Sequence, residues 1–286
     1  MVEGRSKTFL GSFFACVLIV LSGPVDAPAQ SYCWLDGNYT GDQICNAIDP
    51  PDGYVQIPEI CGSFADWLRH LPIKNKSDTV FLYDGSPKYN QNAQWAVIDI
   101  DTGNEDLQQC ADAVIRLRAE YFYSKNLYDS ISFNFTSGDT CRFRDWIEGL
   151  RPIVDGNRVT WTKSAGADSS YTNFRKYLKT VFTYAGSYSL QKQLRPVPDV
   201  DSIAVGDVFI RGGFPGHAVI VVDMAKHKDT GEKLFLLAQS YMPAQDVHIL
   251  KNPQNADLNP WYPVEFENPL ITPEWQFNKD ELRRFQ

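Results

Sequence analysis

The stretch from Gly206 to Gln239 constrains the fold more than any other part of the chain. It reads Gly-Asp-Val-Phe-Ile-Arg, a Gly-Gly-Phe-Pro-Gly turn, then His-Ala-Val-Ile-Val-Val-Asp; after a turn at residues 229–231 comes Lys-Leu-Phe-Leu-Leu-Ala-Gln. Apolar runs of this length, bounded by glycine and proline, have the composition of strands. Connections this short join strands in antiparallel order, because a parallel crossover needs a dozen or more residues. The sequence therefore predicts an antiparallel meander whose second strand begins at His217 and whose third, residues 233–239, ends at Gln239.

The clearest helix is predicted over residues 107–123, where Leu107, Cys110, Val114, Leu117 and Tyr121 recur at spacings of three and four. Asp106 stands at its N-cap with Gln109 three residues on, a capping-box pattern that puts Cys110 in the first turn. A short helix is expected over residues 62–71, stopped by Pro72, and an amphipathic one over residues 171–185. Strands are expected over residues 79–83 and 95–100, and Asp155-Gly156-Asn157 marks a hairpin. Helices and antiparallel strands together indicate an α+β domain.

At the amino terminus Arg5 and Lys7 precede the apolar run of residues 9–21, and Ala27, Pro28 and Ala29 supply a small-residue cleavage site. A basic end, an apolar run shorter than a bilayer span and an A-x-A site describe a secretory signal peptide. The expected organisation is a signal peptide over residues 1–29, an irregular cysteine-containing arm over residues 30–60 and a single α/β domain over residues 61–286. The protein is then exported, periplasmic or extracellular, with no integral membrane segment after processing. A hydrophobic fraction of 43% supports a real core, and a net charge of −8 excludes nucleic-acid binding through a diffuse basic surface. The processed chain keeps Cys33, Cys45, Cys61, Cys110 and Cys141. Export permits disulfides, and an odd count leaves at least one thiol unpaired in a monomer. Sequons stand at Asn38, Asn75 and Asn134.

No spacing resembles a zinc motif and no glycine-rich phosphate loop follows a strand, so neither metal nor nucleotide nor other cofactor is expected. Ser240, Tyr241, Gln245, Asp246 and His248 cluster after the third strand as candidate pocket residues, a composition that a solvated loop shares, and His248 is an alternative general base. Asp99, Asp101, Asp106, Asp112 and Glu120 offer carboxylates of the kind a glycosidase uses in pairs, though turn and cap roles account for two of them. Trp67, Trp95, Trp146, Trp161 and Trp261 suit either sugar stacking or core packing. Cys110 lies on the apolar stripe of its helix, where a cysteine is a small hydrophobe, a disulfide partner for Cys61 or Cys141, or a nucleophile.

The runs DLQQCADAVIRLRAEY, GDVFIRGGFPGHAVIVVD and LLAQSYMPAQDVHIL resemble those of a secreted bacterial family described only as a domain of unknown function, over about residues 60–285. The order of elements is similar to the papain-like superfamily, particularly NlpC-type endopeptidases and CHAP amidases. In those enzymes a cysteine begins a helix, a Gly-Asp pair begins a later strand, a histidine begins the next, and a polar residue on the following strand orients the histidine. The resemblance implies a papain-like antiparallel sheet packed against the helix that carries Cys110, with residues 131–200 as an inserted segment. It implies Cys110 as nucleophile, His217 as general base and Gln239 as orienting residue, with Gly206 and Asp207 marking the strand before the histidine. The implied activity is hydrolysis of an amide bond in a cell-wall glycopeptide or peptide. Three features depart from the pattern: Ala111 and Asp112 follow the cysteine where Ser-Gly is common, the separation from Cys110 to His217 is long, and the third position holds no asparagine or carboxylate. A catalytically inert envelope module that binds glycan or peptide, and a carboxylate-dependent glycosidase, are the alternative expectations.

Overall fold

The computed structural model describes residues 1–2, 32–35, 39, 41–74 and 78–286. The expected signal peptide lies, apart from its first two residues, outside the described residues, as do Asn38 and Asn75.

In chain order the elements begin with helix α1 (Ile44–Ala47), strand β1 (Tyr54–Gln56), helix α2 (Phe64–Arg69), strand β2 (Gln94–Val97) and helix α3 (Cys110–Ser124). A middle block holds the hairpin β3 (Ser132–Asn134) and β4 (Thr140–Arg142), helix α4 (Phe143–Ile147), the hairpin β5 (Leu150–Asp155) and β6 (Arg158–Lys163), and helices α5 (Tyr171–Tyr184) and α6 (Ser187–Gln193). Then come β7 (Arg195–Pro196), β8 (Val208–Arg211), β9 (His217–His227), β10 (Lys233–Gln239) and β11 (His248–Leu250). The chain closes with β12 (Tyr262–Pro263), β13 (Leu270–Ile271), β14 (Gln276–Phe277) and β15 (Leu282–Arg284).

Nine strands form one antiparallel sheet in the order β2-β11-β10-β9-β8-β15-β7, with β1 added against β9 and β12 against β10. The fold is therefore mixed α+β, a large antiparallel sheet with a few helices. Its centre is the meander β8-β9-β10, paired Arg211 to His217 across the glycine turn and Lys233 to Lys226 across the second turn. The first nine residues of β9 are all buried, which an alternating, one-faced strand cannot achieve, so both faces of the sheet are covered there. Helices α2 and α3 pack on β9. Rings from the C-terminal segment, Phe266 and Phe277, pack on Phe209 of β8. Each fully buried aliphatic or aromatic side chain of this kind contributes about 1.5–3 kcal/mol.

The Gly-Asp pair before β8 has a local physical reason. Gly206 has φ +94°, and a Cβ there would stand 3.1 Å from the Phe64 ring of α2. Asp207 accepts from Arg284 Nε and Nη2, both at 2.6 Å, which ties β15 to the start of β8.

Several sequence expectations are corrected. Helix α3 begins at Cys110 and not at residue 107, with Gln109 as N-cap, and Asp112 Oδ2 accepts from the Gln109 N–H at 3.2 Å. Asp106 is no helix cap: its Oδ1 accepts from the Ala244 N–H at 2.7 Å, so residues 106–109 belong to a loop drawn toward the β10–β11 connection. Residues 79–83 make isolated bridges, Phe81 to Pro87 and Leu82 to Gln245, instead of a strand. The expected arm is bound into the same core: β1 extends the sheet, Ile44 is buried and its N–H donates to Leu71 O at 3.0 Å, and Trp34 Nε1 donates to Asp99 O at 2.7 Å. No disulfide pins it, because Cys33, Cys45, Cys61, Cys110 and Cys141 are all free thiols. The middle block, residues 131–200, forms its own hairpins and helices, and the β5-β6 turn at Gly156 and Asn157 pairs Asp155 with Arg158. No helix among the described residues is long and apolar enough to cross a membrane.

Candidate active site

Cys110 is the first residue of α3 and lies 8% exposed on a groove of about 540 Å³. One wall is the start of α3 with Gln109 and Asp112, another is the α5–α6 corner from Phe182 to Tyr188, and a third is the turn from Gly213 to Gly216. That turn approaches α6 closely: a Cβ on Gly216 would stand 2.3 Å from Ser187 Oγ and 2.6 Å from Gly213 O, so only glycine closes the wall. The rim is apolar, with Phe214 96%, Met242 52% and Tyr188 45% exposed.

Backbone N–H groups of Ala218 and Ala111 are disposed toward the Cys110 sulfur and act to lower its pKa. Ala111 belongs to the helix start and Ala218 follows His217 on β9, the strand on which α3 packs. These donors favour the thiolate, but burial outweighs them and, with the nearby Asp112 carboxyl, pushes the Cys110 thiol up to about 11. Asp112 is itself held well above the usual carboxylate range by burial, and its Oδ1 has no partner.

His217 is 1% exposed and enclosed by the rings of Tyr241 at 4.7 Å, Trp275 at 5.4 Å and Phe277 at 5.8 Å. Its Nε2 lies 2.8 Å from Gln239 Oε1, and the Gln239 amide nitrogen lies 2.8 Å from Glu274 Oε2 and 3.3 Å from His248 Nε2. An ionised carboxylate only accepts, so the amide nitrogen of Gln239 must face Glu274 and its oxygen must face His217. His217 therefore carries its proton on Nε2 and leaves Nδ1 as the basic nitrogen. His248 takes the opposite tautomer, since its Nδ1 donates to Asp246 O at 2.9 Å and its Nε2 accepts from Gln239. The same Glu274 Oε2 accepts from Lys88 Nζ at 2.5 Å, and its Oε1 accepts from Asn90 Nδ2 at 3.2 Å. Burial, reinforced by Lys88 and opposed by the Gln239 hydrogen bond, lowers His217 to about 4. His248 is lowered to about 3, first by burial and then by Lys88. At neutral pH the thiol and both imidazoles are neutral, and no hydrogen bond joins the thiol to the His217 ring.

The structure thus brings Cys110, His217 and Gln239 to the junction of α3 with β9 and β10. The other expected pocket residues divide. Tyr241 covers His217 and is half-buried, whereas Ser240, Asp246 and His248 are buried and turned to internal partners, and Gln245 is buried with its Nε2 left without one. Ser240 Oγ donates to Gln245 O at 2.8 Å, and Asp246 pairs with Lys74 Nζ at 2.8 Å. Of the carboxylates, Asp101 is held down to about 2 by Arg116 and Arg175 against its burial, and Glu120 is buried against Arg116 and the Tyr171 hydroxyl. Trp67, Trp146 and Trp261 are core residues, whereas Trp95 is 42% exposed. Among the described residues no group of three or more His, Cys, Asp or Glu is placed to hold a metal ion. Sequence reasoning missed Trp275, whose ring packs on His217, and Glu274 and Lys88, which are linked to it through Gln239; all three carry no motif.

No curated protein and no solved structure matches the chain. A family match does cover most of it, including α3, the meander and the C-terminal segment that supplies Glu274. The chain belongs to the family described as domain of unknown function (4846), whose model matches residues 44–284.

Proposed function

We propose that this protein is an exported cysteine hydrolase of the papain-like type, acting on an amide bond in a peptide or in the peptide part of peptidoglycan. What supports the reading is a helix-start thiol on an open groove, together with a histidine at the start of the adjoining strand β9 whose tautomer is set by Gln239 and Glu274. A free Nδ1 is the atom a general base needs, and a third group that fixes the ring is the usual companion of such a base. The apolar rim of Phe214, Met242 and Tyr188 suits a substrate with an apolar group next to the scissile amide.

In the reaction, the Cys110 thiol turns onto His217 Nδ1 and gives it the proton as Sγ attacks the carbonyl carbon. The N–H groups at the start of α3 favour the developing negative charge. The imidazolium proton passes from Nδ1 to the leaving amine, which breaks the C–N bond and leaves a thioester. Water, deprotonated by the same Nδ1, then hydrolyses the thioester and returns the thiol. The carboxylate of Glu274, two hydrogen bonds from the ring through Gln239, stabilises the imidazolium stage. Export rests on the signal-peptide pattern of residues 1–29.

A second reading, an inert envelope module that holds glycan or peptide in the same groove, is favoured by the neutral thiol and imidazole and by the absence of a hydrogen bond between them. The carboxylate-hydrolase alternative has no comparable support, because Asp101 and Glu120 both engage Arg116. Iodoacetamide labelling of the non-reduced native protein across about pH 5 to 9, mapped by mass spectrometry, separates the first two. The hydrolase reading expects Cys110 labelling that persists below the ordinary thiol pKa of about 8.5 and is lost in His217→Ala. Labelling confined to alkaline pH and indifferent to His217, together with no amine released from peptidoglycan or casein peptides, would establish the inert module.

A further inference from the structure

Eight residues after Cys110, Arg118 of α3 lines a second groove, of about 520 Å³, between α3, β3, α6 and the C-terminal strand. Its guanidinium carbon lies 4.3 Å from the ring centre of Phe122, 4.6 Å from Phe64 and 5.1 Å from Phe285. Ring contacts of this kind engage the faces of the planar cation and leave its N–H edge as the remaining polar surface. Among the described residues that edge meets no acceptor: Arg118 has neither a hydrogen bond nor an ion pair. Burial lowers its pKa to about 10, so it stays charged at neutral pH.

The side chains around it carry no opposing charge, although Gln286, the last residue, also lines the groove. The groove also presents Lys192, and its lining holds no aspartate or glutamate, although the chain has 35 acidic against 27 basic residues. Lys192 Nζ donates to the Tyr188 hydroxyl at 2.6 Å and keeps further donors free. The side chains of Ser130 and Ser132 add hydroxyls that make no hydrogen bond among the described residues. A half-buried cation without a partner is costly, and an oxyanion with two oxygens in one plane relieves that cost through two parallel N–H bonds.

We propose that this groove is an oxyanion-binding site in which the Arg118 edge takes the carboxylate or phosphate group of a small ligand, with Lys192, Ser130 and Ser132 completing its surroundings. The site is separate from the Cys110 groove, and its standing does not depend on the hydrolase reading.

The test is a titration of the full chain, at fixed ionic strength in chloride, with inorganic phosphate and separately with N-acetylglycine. Calorimetry reads the affinity and ¹⁵N NMR follows the Arg118 Nε–H. A saturable response to either probe that moves this resonance is expected, weakened at least about tenfold by Arg118→Met and roughly threefold by Lys192→Ala. Saturation by phosphate alone assigns a phosphoryl ligand, and saturation by N-acetylglycine alone assigns a carboxylate. If Arg118→Met fails to fold, Arg118→Lys, which keeps the charge and loses the fork, takes its place beside the wild-type resonance. Non-saturating responses to both probes, an unmoved Nε–H, or wild-type affinity in the Arg118 variant would overturn the proposal.

Discussion

Arg116 and Arg118 stand two positions apart on α3, which places them about 200° apart around the helix. Arg116 is fully buried, and its fork is engaged on all sides: Nη2 meets Asp101 Oδ2 at 2.7 Å, Nη1 meets Gln108 Oε1 at 2.7 Å and Asp101 O at 2.5 Å, and Nε meets Glu120 Oε1 at 3.2 Å. Arg118 is half-buried and meets only rings. The same chemical group is thus structural where every donor is satisfied and available where none is. The histidines obey a similar rule: His248 has both ring nitrogens engaged, whereas His217 has Nε2 engaged and Nδ1 open. Which groups can do chemistry follows from what the packing leaves unsatisfied, and not from residue type.

The largest effect that tests this contrast is expected from Arg116→Met. It leaves Glu120 buried with only the Tyr171 hydroxyl, and removing one partner of a buried pair costs about 3–5 kcal/mol. Urea denaturation should show that loss, with Arg116→Met/Glu120→Leu recovering most of it. A loss below about 1 kcal/mol would remove Arg116 from the structural class.

Acid should come next. His217 titrates near 4 in the folded chain against 6.5 unfolded, so the unfolded state takes up the proton first as pH falls. The contribution of this ring is complete above about pH 6.5 and is lost as pH falls toward 4, a total of about 3 kcal/mol. His248, lowered to about 3, adds in the same direction. Urea midpoints from about pH 7.5 to 4 should fall, and His217→Phe should flatten the slope. A flat wild-type profile would mean that His217 is not enclosed as described.

Glu274→Gln should cost about 1–2 kcal/mol by leaving Lys88 without its carboxylate. Because the new amide can donate toward Gln239, it should also loosen the Gln239 orientation, and ¹⁵N shifts of His217 should show the Nε2–H tautomer losing population. An unchanged tautomer would place the orienting power in Gln239 alone. Arg118→Met should have the smallest effect, no more than about 1 kcal/mol, because ring contacts without ion pairs are what it removes. A loss matching that of Arg116→Met would break the comparison.

The meander was legible because its signals are local: glycine turns bounded by apolar runs, with His217 and Gln239 at strand ends. Antiparallel register then brings residues 22 positions apart into hydrogen-bond contact, which is why Gln239 could be named. The start of α3 was not legible, because Asp106 has the composition of a cap and is instead used by Ala244, 138 residues away. The arm was misread for a related reason, since its polar, glycine-rich sequence hides β1, whose partner strand lies at the other end of the chain. Ser240, Gln245 and Asp246 look like a solvated loop by composition, yet all three are buried, with Ser240 and Asp246 hydrogen-bonded internally.

By itself the sequence determined the mixed α+β class, the meander, the β5-β6 hairpin and the placing of Cys110 at a helix start, because periodicity, turn chemistry and helix signals act over a few residues. Only the tertiary structure decided the environment of the histidine. Glu274 reaches Gln239 across 35 residues and Lys88 across 186, and the five cysteines remain thiols. Proton position, thiol acidity and the freedom of a cation depend on burial and on partners at hydrogen-bond distance, and those are properties of packing that no local pattern encodes.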